Sequence, residues 1–119
     1  MNQDRLFVYG TLMPGQENER YLTKIGGTFE PARVRGRLYL PGEWRAGFNY
    51  PGLVLDPAAK MVEGYVFRSE NLASNWELLD EFEGEEYKRI EAEVETSDGP
   101  VKACIYVIDE QCLKQYEGN

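Results

Sequence analysis

Short apolar runs, many of them bounded by glycine or proline, recur along this chain, while only two segments carry helical spacing. That imbalance constrains the fold more than any other feature. Strand-type runs occupy residues 6–9, 34–40, 53–55, 61–67, 87–95 and 101–108, and the last two are joined by the turn signal Ser97-Asp98-Gly99-Pro100. Helical spacing appears over residues 17–25, closed by Gly26-Gly27, and from Ser69 to about Phe82. Two helices are too few to cover both faces of a parallel sheet. The expected class is therefore α+β, a mixed or antiparallel sheet curled into a small β-barrel with short flanking helices. Over 119 residues there is no internal repeat, low-complexity tract or linker, so one domain over 1–119 is expected.

Composition narrows the chemistry. The chain has no histidine, which removes Ser-His-Asp and Cys-His catalysis and every His-dependent metal site. Two cysteines make neither a metal cluster nor a disulfide framework. Cys104 lies in an apolar run and reads as a buried inert thiol, the alternative being a reactive one. With 21 acidic against 13 basic residues the net charge is −8, which argues against phosphate-neutralising contact with nucleic acid. The first residues lack a basic, apolar leader, and no run approaches the about 18 apolar residues that span a bilayer. A cytoplasmic protein with no membrane partner is expected, as a monomer or weak homodimer.

The second helix contains a residue that does not fit its surroundings. At about 100° per residue, Leu72, Trp76 and Leu79 fall within roughly 60° of one another and form a buried stripe. One turn further along that stripe stands Glu83. Glu77 and Glu81 point to the opposite face, and Asp80 lies at the boundary. A carboxylate on an apolar stripe is costly to ionise. The negative end of the helix dipole, announced by Gly84, acts in the same direction. A glutamate raised towards neutrality is suited to general acid–base work. The alternative is a terminal turn that unwinds and releases Glu83 into water.

Tyr9-Gly10-Thr11-Leu12 closes the first strand. Glycine allows a sharp turn and close approach of a ligand to the main chain. Successive N–H groups there can form an anion-binding nest. The alternative is an ordinary turn.

Together these stretches resemble a known family. Leu6-Phe7-Val8-Tyr9-Gly10-Thr11-Leu12, Gly15-Gln16, Asn18 and Tyr50-Pro51-Gly52-Leu53-Val54 are similar to the opening half of the gamma-glutamylcyclotransferase-like superfamily, in its short AIG2-like, gamma-glutamylamine cyclotransferase branch. Val62-Glu63-Gly64-Tyr65-Val66-Phe67, Leu79-Asp80-Glu81-Phe82-Glu83-Gly84 and Tyr87-Lys88-Arg89 resemble its second half. The resemblance implies a small β-barrel, substrate binding by the main chain of Tyr9, Gly10, Thr11 and Leu12, and Glu83 as catalytic acid/base. It also implies a small-molecule γ-glutamyl substrate and a reaction that needs no cofactor or metal. Tyr87 is expected to wall the pocket. Glu63 is expected to be a solvated strand residue rather than a carboxylate acting on Glu83, and Arg89 a surface charge rather than a ligand for a substrate carboxylate. Met13 and Pro14 fall where family members vary, so the pocket mouth is left open. The competing reading is a non-catalytic small-molecule or protein-binding module on the same scaffold.

Overall fold

Alternation along the strands generates two separate cores. In β1 (Arg5–Val8), Leu6 and Val8 face one way and Phe7 the other. Helix α1 (Glu19–Ile25) follows, then the long strand β2 (Thr28–Tyr39), β3 (Gly52–Leu55) and β4 (Met61–Arg68). A 3-10 turn at Leu72–Ser74 leads into α2 (Trp76–Glu83), and β5 (Tyr87–Thr96) and β6 (Gly99–Ile108) form a hairpin. These elements come from a computed structural model that describes residues 4–10, 12–40, 51–84 and 86–109. Thr11, the segment leading to Tyr50 and the tail from Glu110, with Cys112, lie outside the described residues.

The strands run in the order β3-β2-β4-β1-β6-β5, and a further pairing of β2 with β5 at Ala32↔Thr96 and Arg33↔Glu95 closes the ring. Five strands thus form a barrel, with β3 alongside the far end of β2. Among the described residues only β1 and β6 run parallel, so the sheet is mixed. Phe7, Val34, Val62, Val66, Val94 and Ile105 fill the interior. On the outer side Leu6, Val8, Phe67, Cys104 and Tyr106 pack against Leu22 of α1 and Leu72, Trp76 and Leu79 below and along α2. Because β6 is covered on both faces, residues 103–108 are buried without interruption, Cys104 among them at 2% exposure. Burial pushes the Cys104 thiol up from its ordinary value, in keeping with an inert core thiol. At Gly64 the wall is too thin for a side chain. A Cβ there would come within 2.3 Å of the Val8 carbonyl oxygen and 2.8 Å of the Phe7 ring.

Four boundaries differ from the sequence reading. Strand β2 begins at Thr28, well before Val34, and passes through Pro31. The proline is tolerated because β5 pairs with β2 only at Ala32 and Arg33, so Pro31 has a strand neighbour on the β4 side alone. The helix expected from Ser69 is divided at Asn75. Ser69 Oγ accepts from the Asn71 N–H at 3.1 Å, and Ser74 Oγ and Asn75 Nδ2 both donate to the Asn71 carbonyl, at 3.0 and 2.8 Å. These local side-chain bonds compete with continuous helix. Helix α1 starts at Glu19 rather than at residue 17, and Gly99-Pro100 open β6 rather than belonging to the turn.

Candidate active site

Parallel pairing of β1 with β6 brings the C-terminal ends of both strands to one edge of the barrel. Strand β5, antiparallel to β6, starts at that edge, with Tyr87 opposite Ile108. The C-terminus of α2 reaches the same place, held by its buried Trp76 and Leu79 and by Phe82, whose ring lies 4.5 Å from that of Tyr21 in α1. Between these four chain ends is a cavity of about 240 Å³.

Tyr9, Gly10, Leu12, Glu83 and Tyr87 all line this cavity, so five of the six residues selected from the sequence converge on it; the sixth, Thr11, lies outside the described residues. Tyr106, Pro51 and Glu86 line it as well. Glu63 does not; it is exposed on β4.

Glu83 ends α2, and Gly84 then turns the chain with φ of 86° while its N–H donates to the Asp80 carbonyl at 3.0 Å. Positive φ is why glycine stands here. Among the described residues the half-buried Glu83 carboxylate has no hydrogen-bonding or ionic partner. Burial raises its pKa from 4.5 to about 7. The helix C-terminus acts in the same direction.

Two phenols are fixed by main-chain carbonyls. Tyr9 donates to the Tyr106 carbonyl and Tyr87 to the Pro51 carbonyl, each at 2.5 Å. Burial, then the neighbouring Tyr87 and Glu83, raise the Tyr9 phenol well above its usual range, with a main-chain hydrogen bond from Leu53 acting the other way. Tyr9 therefore stays neutral. Beside the cavity, Asp80 accepts from the Tyr106 phenol at 2.6 Å and pairs with Arg89 Nε at 2.9 Å. The Arg89 guanidinium lies 4.5 Å from the centroid of the Trp76 ring. Arg89 is thus not the free surface charge expected from the sequence. Its side chain is 27% exposed, covered by α2 because β5 runs beneath that helix.

Tyr106 was not singled out from the sequence, where it reads as one more core residue of an apolar strand. A signal was available. A tyrosine among aliphatic residues carries a hydroxyl that must find a partner once buried.

The arrangement offers a neutral-range carboxylate facing a turn of main chain across a small cavity, suited to moving a proton on and off a bound molecule. The sequence matches the family described as gamma-glutamyl cyclotransferase, AIG2-like, over residues 6–119. A relative from Niallia circulans, gamma-L-glutamyl-butirosin B gamma-glutamyl cyclotransferase, is 32% identical over 106 residues, covering 86% of this chain and 65% of its own length. The chain therefore spans less than two thirds of that relative. Among solved structures, YkqA from Bacillus subtilis superposes with a TM-score of 0.66 at 27% identity, over 92% of this chain and 36% of that one. An AIG2-like protein from Mus musculus has the same fold, with a TM-score of 0.63 at 24% identity over 95% of this chain and 84% of its own. Barrel and sequence match agree: this chain belongs to the AIG2-like gamma-glutamyl cyclotransferase family.

Proposed function

We propose that this protein is a γ-glutamyl cyclotransferase that converts a γ-glutamyl amide into 5-oxoproline and the free amine, with Glu83 as its acid/base. One observation carries the reading. A half-buried carboxyl, without a partner among the described residues and with its pKa raised to about 7, lines a cavity rimmed by the turn after β1. A group of that pKa accepts and returns a proton at neutral pH.

In this mechanism the substrate's own α-amino nitrogen attacks its γ-carbonyl carbon and closes a five-membered ring. Glu83 takes the proton released by the amine. Main-chain N–H groups of the turn from Gly10 to Leu12 stabilise the oxyanion of the tetrahedral intermediate. As the bond from carbon to the departing nitrogen breaks, Glu83 delivers the proton to that nitrogen. The attack is intramolecular, so the protein's main task is to hold the substrate folded in a reactive conformation. The phenols of Tyr9 and Tyr87, each anchored on a main-chain carbonyl, shape the cavity for that purpose. The γ-L-glutamyl-butirosin B named for the Niallia circulans relative supports a γ-glutamylated amine as the substrate class.

The test is release of 5-oxoproline from a panel of γ-glutamyl amines, dipeptides and γ-glutamyl-ε-lysine, with Glu83→Gln alongside. Turnover lost in the variant, and kcat/KM that rises through a pKa near 7 in the parent, are expected. A folded Glu83→Gln with full turnover excludes the acid/base role. Binding of a γ-glutamyl ligand with no turnover across the panel replaces the enzyme by a binding module.

A further inference from the structure

Among the described residues the Glu83 side chain has no hydrogen bond or ion pair to hold it, and it is the last residue of a helix only eight residues long. Helix ends fray, yet general acid–base catalysis requires the carboxyl to remain within hydrogen-bonding reach of its substrate. What holds this turn lies one turn earlier. The Asp80 carbonyl accepts the Gly84 N–H, so that bond encloses Glu83, and the Asp80 side chain is tied to the barrel by Tyr106 and Arg89.

The two ties are unequal. Asp80 and Arg89 form a pair with 44% and 27% of their side chains exposed, and ion pairs open to solvent contribute little. Tyr106 is only 5% exposed. Its phenol is raised by burial, then by the bond to Asp80, and remains a neutral donor. Its other polar end is also engaged, since the Tyr106 carbonyl accepts the Tyr9 phenol. One residue in the middle of the barrel edge thus holds a component from each side of the cavity.

We propose that Tyr106 is the positioning residue of this site: its phenol, through Asp80, fixes the helix turn that presents Glu83, and its carbonyl fixes the Tyr9 ring opposite. The proposal rests on the acid/base reading of Glu83 for its effect on turnover, and on geometry alone for its effect on the carboxyl. Among the described residues the titratable groups around Glu83 are Tyr9 beyond β1, Tyr106 on β6, and Glu86 and Tyr87 at the start of β5, with Asp80 and Arg89 behind them. Tyr9 and Tyr106 stay neutral through the range in which Glu83 titrates.

Tyr106→Phe keeps the ring and the carbonyl and removes only the link to Asp80. Asp80→Ala removes the same link from its exposed end and serves if the first variant fails to fold. Each is expected to lower kcat on the order of tenfold, as loss of placement does, with KM changed less than about twofold. The double variant is expected to lose less than the product of the two single losses, because both cut one connection. In substrate-free protein, carbon-13 NMR titration of the Glu83 carboxyl is expected to show its pKa moving down towards the ordinary glutamate value in both variants, as the freed turn opens to water. A lowered Tm with unchanged kcat and unchanged Glu83 titration overturns the proposal and leaves Tyr106 a purely structural residue. Should Glu83→Gln retain turnover, the acid/base reading fails separately, and the titration still decides whether Tyr106 positions that carboxyl.

Discussion

Glu83→Gln is expected to stabilise the folded protein at pH 8 and to leave its stability nearly unchanged at pH 4. The carboxyl of Glu83 has its pKa raised from 4.5 to about 7 on folding. A raised carboxyl favours the folded state relatively while it is protonated. That contribution is fully present below the unfolded value, is lost as pH rises from about 4.5 to about 7, and is absent above. At about 1.4 kcal/mol for each tenfold change, holding the ionised group in this cavity costs about 3 kcal/mol at pH 8. Glutamine removes the charge, and its half-buried amide is as short of partners among the described residues as the protonated carboxyl it replaces, so that cost cancels at every pH. The net expectation is a gain of about 3 kcal/mol at pH 8 and none at pH 4. Urea unfolding of parent and variant at pH 4, 5, 6, 7 and 8 measures this directly, and the other carboxylates cancel in the difference. A difference that is flat across that range, or a variant less stable at pH 8, would refute the claim that burial holds Glu83 near neutrality. In the same samples, loss of 5-oxoproline release alongside the gain in stability would show that the site retains a costly charge for its chemistry.

Gly64→Ala is expected to destabilise the fold by about 3 kcal/mol, read as a severe fall in the thermal midpoint, because the added carbon meets the Val8 carbonyl at 2.3 Å. Gly84→Ala places a side chain at φ of 86° and is expected to cost about 1–2 kcal/mol in chemical unfolding; kcat falls with it, since the same turn sets Glu83 and Tyr87. Leu79→Ala, at a fully buried site on the inner face of α2, is expected to cost about 2–5 kcal/mol in denaturant titrations. In a Cys112→Ser background, Cys104 is expected to resist a thiol reagent until denaturant is added; prompt labelling of the native protein would contradict its burial at 2% exposure.

What could be read from the sequence depends on whether the determining interactions are local. The strand alternation, the glycine and proline stops and the helical stripe of Leu72, Trp76, Leu79 and Glu83 recur over a few residues, and all follow from backbone period. Glu83 was legible for that reason. The stripe stayed buried although Asn75 divided the helix, because both halves pack on the same outer face of the barrel. The β2 extension through Pro31 was not legible, since a proline is acceptable or not according to which strands lie beside it.

The sequence by itself determined an α+β barrel class and placed a carboxylate where it does not belong by polarity. It also placed a glycine turn at the end of the first strand. Only the tertiary structure decided that these two features face one another. That outcome depends on the parallel pairing of β1 with β6, between residues nearly a hundred positions apart, and on the register that sets Arg89 opposite Tyr106. Pairing across such separations is chosen by closure of the whole barrel and is invisible in any local window. The same reason hid Tyr106: its residue type was plain in the chain, while both of its partners, Tyr9 and Asp80, were supplied by folding.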